Sequence, residues 1–239
     1  MPIEYAGRNL RDPEVMNSIK KMMEIHVNVL FNHNEKGLIT TVNEPPYEPA
    51  PMLYIGLTGE GHLIRYREDI NETTISKLGS AIGTDPGNRL TEIVEALNTV
   101  ERIRRIWLGP AFMFPKVKRD SDIAIRISRS NRALLRKHFP FLFNELELKE
   151  PVFAVVADGA AVSVCHSART FQDAAEAGVH TVEAFRGRGF GPQVVLAWAE
   201  CLQMKGMVAL YSTSWNNFKS QSVAKKLGLV QIGSDLHFE

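Results

Sequence analysis

Apolar residues recur at three- and four-residue spacing through "RDPEVMNSIKKMMEIHVNVLF", the first strong pattern in the chain. Val15, Ile19, Met22, Met23, His26, Val27 and Leu30 fall on one stripe, which predicts an amphipathic helix. Asp12 is placed to cap it, Pro13 suits the first helical position, and Glu14 complements the positive end of the dipole. The polar run "NHNEKG" ends the pattern. "LITTV" then reads as a strand, and the four prolines of "NEPPYEPAP" rule out a regular element there. "MLYIGL" and "HLIRYR" around the turn "TGEG" predict a hairpin. Helices follow near "ETTISKLGSAI" and "RLTEIVEALNTVERI", with "GTDPGN" as the loop between them.

Residues 108–122, "LGPAFMFPKVKRDSD", combine two prolines, a glycine and a charge run, and read as a junction. The chain divides there into an N-terminal α+β domain, residues 1–110, and a C-terminal α/β domain, residues 111–239. In the second, "SRSNRALLRKHFPFLFNELEL" reads as one or two helices interrupted at Pro140. Its neighbourhood is basic (Arg126, Arg129, Arg132, Arg136, Lys137), read as a solvated face with an acidic-ligand patch as the alternative. "PVFAVVA" and "AVSVCHSA" flank Asp158-Gly159, a strong hairpin-turn signal. "GVHTVEAF" is the next strand, followed by a glycine-rich turn, a helix over 192–204 and the strand "MVALYS". A helix to Leu227, ended by Gly228, precedes a closing strand in "LVQIGSDLHF". Strands in a meander followed by β–α–β–α–β predict a mixed sheet flanked by helices, an α/β fold of the α+β type.

Composition narrows this little. Hydrophobic content of 44% and charged content of 23% suit a globular protein, and the formal net charge of +1 gives no whole-protein field toward nucleic acid or membrane. The two cysteines, Cys165 and Cys201, form no disulfide framework and fit a reducing compartment. The start is polar and mixed in charge, unlike a signal or transit peptide, and no apolar run reaches the ~20 residues of a membrane helix. A cytoplasmic location is the expectation. The seven histidines make no H-x-x-x-H or H-E-x-x-H pair, so no metal site is expected. No G-x-S-x-G elbow points to a serine hydrolase.

The chemistry concentrates in "FRGRGFGPQVVLAWAE", with three glycines in five positions ahead of a helical stripe. Glycine serves where the backbone takes φ > 0 or approaches a ligand, and a helix start behind such a turn suits an anion. A dinucleotide turn fails: counted from Gly187 its third glycine is Pro192, counted from Gly189 it is Val194, and Tyr211 stands where a ribose-binding acid belongs. A phosphate loop of the G-K-[ST] type is absent too.

Arg186-Gly187-Arg188-Gly189-Phe190-Gly191 matches the [RQ]-x-x-G-x-[GA] turn of the GNAT superfamily of acyl-CoA-dependent N-acetyltransferases. "NFKSQSVAKKLGL", residues 217–229, resembles that family's N-x-x-S-x-x-V-A-x-K-L-G-[FL] helix, one helix and one strand further on. The resemblance covers roughly residues 120–239 and suits a branch with an extra N-terminal domain. It implies that acetyl-CoA is the cosubstrate, its pyrophosphate resting on the N–H groups of Arg188, Gly189, Phe190 and Gly191, with Arg186 and Arg188 adding charge-assisted bonds. Asn217 would bond the pantetheine arm, cap the last helix, or do both. Lys219, Lys225 and Lys226 either approach the adenosine phosphates or, for the latter two, complement the helix dipole. Val194, Val195, Trp198, Cys201 and Leu202 read as the buried stripe of the helix behind the turn.

Acyl transfer to an amine needs a neutral amine, a polarised thioester carbonyl and a proton for the departing thiolate. Thr181 holds the family's usual carbonyl-polarising position. The family's general-acid tyrosine, four residues before the closing glycine, is replaced here by Ala224. Candidate donors are then Tyr211 and Ser222, and candidate bases Glu176, Glu183 and His166. The expectation is an N-acetyltransferase acting on a primary amine of a small molecule, with no nucleic acid or membrane partner and with homodimerisation left open. A non-catalytic acyl-CoA-binding module is the runner-up, and acetylation of protein N-termini or lysines a third reading.

Overall fold

The computed structural model describes residues 4–5, 8–9, 13–83, 89–118 and 121–239, with side chains from residue 19 onward. The cap expected at Asp12, the side chains of Pro13, Glu14 and Val15, and residues 84–88 of the "GTDPGN" loop lie outside these. Two compact units emerge: residues 1–111 with 214–216 and 231–239, and residues 112–213 with 217–230. The last strand therefore groups with the first unit, apart from the contiguous 111–239 division expected from sequence.

In the first unit, β1 (Glu4–Tyr5) and β2 (Arg8–Asn9) pair antiparallel ahead of α1 (Pro13–Leu30). The polar run expected only to end α1 instead enters a small hairpin, β3 (Phe31–His33) with β4 (Ile39–Val42). Asn34 closes its turn by accepting from the N–H groups of Lys36 and Leu38. The hairpin β5 (Leu53–Thr58) and β6 (Gly61–Tyr66) forms as the alternation dictates. α2 (Glu72–Ile82) is capped by Asn71, whose side chain accepts from Thr74 N, and α3 (Leu90–Asn98) stops short of the stretch expected. The first half of the expected junction is strand: β7 (Ile106–Met113) belongs to the first unit through Ala111.

α1 buries Met23, His26, Val27 and Leu30 as its spacing demands. His26 is paired: its Nε2 lies 2.8 Å from Asp235 Oδ2, and Tyr54 donates to Asp235 Oδ1 at 2.7 Å. All three are fully buried. Burial pushes the Asp235 carboxyl up, but the charge and hydrogen bond of His26, with His237 and Tyr54, outweigh it and hold the carboxyl below its usual range. Gly233 is required beside this network, because a Cβ there would collide with Met23 Cε and with the Leu57 carbonyl oxygen.

The second unit opens with β8 (Ala124–Ile127), which pairs with β9 (Val152–Ala157). The basic segment between them is a 3-10 turn (Arg132–Leu135), α4 (Pro140–Asn144) and a second 3-10 turn (Leu146–Leu148). Pro140 thus starts a helix where the sequence suggested an interruption, since its missing N–H falls in the first turn. Arg126, Arg129 and Arg132 pair with Glu150 and Glu147, which makes that surface a solvated ionic face. β9 turns into β10 (Ala160–Phe171) through Asp158 (φ 50°) and Gly159 (φ 73°), the two left-handed residues a tight hairpin needs. β10 pairs antiparallel with β11 (Ala174–Thr181), and β11 pairs parallel with β12 (Val208–Ser212) across the crossover helix α5 (Phe190–Met204). The result is a mixed sheet. α6 (Phe218–Lys226) and β13 (Val230–Phe238) complete the chain. β13 lies almost wholly in the first unit, against β5.

α5 carries the core of this unit. Val194, Val195, Trp198 and Leu202 are buried, and Cys201 is half-buried. Trp198 packs edge-on to Phe114 and donates its indole N–H to Ser167 at 3.1 Å, which satisfies the one polar atom of a large buried ring. Among the described residues no helix is long and apolar enough to cross a membrane, and no cluster of three metal-ligating side chains forms.

Candidate active site

The site begins where two parallel strands part. The β11–β12 ladder runs Ala174↔Val208, Ala175↔Ala209, Glu176↔Leu210 and ends there, while β11 continues to Thr181 and β12 to Ser212. Buried polar groups fix the fork. Glu176, 4% exposed, takes Arg169 on one carboxylate oxygen at 2.9 Å and accepts from the Ser212 hydroxyl on the other. Arg169 is aimed there by a bulge between Ser167 and Arg169, and the buried Lys149 ammonium holds the Ala168 carbonyl at 3.1 Å.

One wall is the glycine turn. Gly187 (φ 76°) and Gly189 (φ 81°) both take the left-handed conformation, and Gly189 caps α5 with no side chain to bond the first-turn N–H groups. Pro192 sits at the third helical position, two residues deeper than expected but still where its missing N–H costs no helix bond. A cavity of about 760 Å³ opens against this helix start, lined also by Arg186 and by Lys219 and Lys226 of α6. Uncapped N–H groups, the positive end of a helix and three cations around the cavity suit phosphate oxygens.

α6 forms the facing wall. Asn217 caps it, its side chain accepting from Ser220 N at 3.1 Å, and it lines the cavity as well. Ser220 Oγ lies 2.6 Å from the Tyr211 hydroxyl, at the end of β12. Burial pushes the Tyr211 phenol up to about 12 against the opposing Ser220 bond, with nearby Cys165 and Glu176 adding to the rise. The phenol therefore stays protonated across the neutral range. Ala224, the position where the resembling family carries tyrosine, is buried in the same core cluster as Tyr211.

The cavity gathers Thr181, Arg186, Gly189, Phe190, Gly191, Asn217, Tyr211 and Ser222 from the residues singled out in the sequence. Thr181 meets Ser163 at 2.8 Å, hydroxyl to hydroxyl. Three others stand outside the lining. Arg188 donates to the Ala184 carbonyl and lies over the Phe185 ring at 4.9 Å. Glu183 is exposed beside Arg186, and Glu176 is locked at the fork. Of the other candidates, His166 is buried and Ser222 exposed. Sequence reasoning missed Ser220, Phe218 and His180, all of which line the cavity. His180 had no signal, since strand alternation from Thr181 sets it on the opposite face of β11. Ser220 had none, because only the turn between β12 and α6 brings it against Tyr211, nine residues earlier.

Residues 152–234 match the family model described as GNAT acetyltransferase. A sequence search of curated proteins finds none that matches. Among solved structures, a GCN5-related N-acetyltransferase-like protein from Streptococcus suis 89/1591 aligns over 92% of this chain and 100% of its own, at 12% identity and TM-score 0.50. An acetyltransferase from the GNAT family of Colwellia psychrerythraea aligns over 77% and 81%, at 12% identity and TM-score 0.48. A GNAT-family protein of Novosphingobium aromaticivorans DSM 12444 aligns over 57% of this chain and 65% of its own, at 15% identity and TM-score 0.46. The likeness to the Streptococcus suis protein shows a shared fold. The family match places a GNAT acetyltransferase region in the C-terminal part of the chain, over residues 152–234.

Proposed function

We propose that the protein transfers an acetyl group from acetyl-CoA to a primary amine on a small molecule. The observation that carries this reading is the cavity itself: an uncapped helix start with Arg186 beside it, Lys219 and Lys226 on the facing helix, a strand fork, and a protonated phenol in the lining. Pyrophosphate would rest on the first turn of α5, with Arg186, Lys219 and Lys226 as its cationic partners. Asn217 would meet the pantetheine arm while still capping α6. The Tyr211 hydroxyl, positioned by Ser220, would supply the proton to the departing thiolate in place of the side chain that Ala224 lacks. Glu176 then serves the fork through Arg169 and Ser212.

Ala224 favours a second reading, an acyl-CoA-binding module without turnover. Release of free thiol from acetyl-CoA in the presence of a panel of primary amines separates the two. Amine-dependent release supports transfer; tight binding with no release from any amine supports the module and contradicts transfer.

A further inference from the structure

We propose that His180 is the base that accepts the amine proton during acetyl transfer. This rests on the transfer reading above and adds a group that reading does not contain. A neutral amine that attacks the thioester must lose a proton to something at the cavity wall, with a path onward to solvent. Glu176 is buried with both oxygens engaged, by Arg169 and by Ser212. The Glu183 side chain is 88% exposed beside Arg186 and outside the cavity lining. His166 is buried beneath Gly178, where even a Cβ would fall 2.5 Å from the imidazole. His180 differs from all three: it is exposed, and it lines the cavity one residue before Thr181.

Its ring is also held. His166 of β10 stacks against it with centroids 5.7 Å apart and planes 2° from parallel, and Phe141 of α4 meets it edge-on at 5.3 Å. Gly178 makes this possible by leaving room for the His166 ring between the strands. β10 thus presents His166 to the imidazole and α4 presents Phe141, while Arg186, Lys219, Lys226 and Tyr211 line the same cavity. A ring oriented by stacking suits a base, because its geometry is fixed before the amine arrives.

The step balances. The amine lone pair forms the C–N bond to the thioester carbonyl carbon, and the C–S bond breaks with its electron pair passing to sulfur. The amine proton goes to the His180 ring, the Tyr211 hydroxyl proton goes to the thiolate, and both side chains recover through solvent. Amine and thioester become amide and thiol.

The test measures thiol release by the full chain with acetyl-CoA and glucosamine, spermidine or lysine amide across pH. Wild type should show an acid limb in kcat/KM in the imidazole range. His180→Gln should lose that limb and about a hundredfold in rate, with acetyl-CoA affinity unchanged. Phe141→Ala, a positioning change, should lower the rate less and keep the limb. Carbethoxylation of the wild type with peptide mapping gives the same answer without a substitution: turnover should fall with modification of His180 and return with hydroxylamine. A variant that keeps both limb and rate, or turnover independent of modification, overturns the assignment. No thiol release from any amine while acetyl-CoA binds also overturns it and leaves the binding reading standing. Failure of acetyl-CoA to bind overturns the transfer reading itself.

Discussion

Replacing Tyr211 with Phe removes one oxygen and keeps the ring that packs against Phe114. At neutral pH the change deletes the 2.6 Å bond to Ser220, a loss of roughly 1 kcal/mol for a buried neutral pair. At high pH the sign turns. The phenol titrates near 10 when unfolded and at about 12 in the fold, chiefly because it is buried. A group raised in the folded state contributes stability fully present below the unfolded value and lost as pH climbs through the folded one. The two-unit difference corresponds to about 2.7 kcal/mol, surrendered between about pH 10 and 12. Set against the hydrogen bond, this makes wild type more stable than Tyr211→Phe near neutrality and less stable above about pH 11. Urea unfolding of both proteins at a series of pH values measures the difference directly, with other titrating groups cancelling between them. The variant should also lose a hundredfold or more in turnover if the phenol feeds the thiolate. Parallel stability curves through the alkaline range would refute the buried, hydrogen-bonded phenol and with it the assigned proton donor.

Two further changes probe the frame around the site. Gly178→Ala drives a methyl to 2.5 Å from the His166 imidazole, so it should cost about 1–3 kcal/mol in urea unfolding and loosen the His180 stack; an unchanged midpoint would contradict that packing. Asp235→Asn leaves the buried His26 without its carboxylate and should cost about 3–5 kcal/mol. Because the Asp235 carboxyl is held below its usual range, its contribution is present above the unfolded value and lost as pH falls through the folded one. Acid unfolding of wild type should therefore show a component that Asp235→Asn lacks.

How much of this was legible beforehand depended on whether the cause was local. The left-handed pair Asp158-Gly159, the left-handed Gly187 and Gly189, the Asn217 cap and the α5 stripe are set by a few neighbouring residues, and the sequence carried them. The short pieces around Pro140 resisted because a proline can break a helix or begin one, and tertiary packing decides which. β7 was read as a junction because its Gly109 and Pro110 weigh against a strand locally, whereas its neighbour β13 comes from the far end of the chain. The same holds for the site. The glycine turn and the Asn217 helix were visible as motifs, but the engagement of Glu176 needed Arg169 and Ser212 brought together from two other strands. Nothing in the spacing of Tyr211 and Ser220 announces that their hydroxyls meet.

The central claim is that the α5 start holds the phosphates of acetyl-CoA, and a calorimetric titration of the full chain, wild type against Gly189→Val, tests it most directly. No atom lies within 4 Å of a Cβ at Gly189, so the substitution acts through its φ of 81°, a conformation costing a β-branched residue about 1–2 kcal/mol or more. Relief of that strain turns the first N–H groups away, and each charge-assisted bond lost is worth about 1.5–3 kcal/mol, roughly ten- to a hundredfold in Kd. The account predicts saturable binding of acetyl-CoA by wild type and a Kd weaker by that factor in the variant. Absence of binding by wild type, or equal affinity in both proteins, would contradict it.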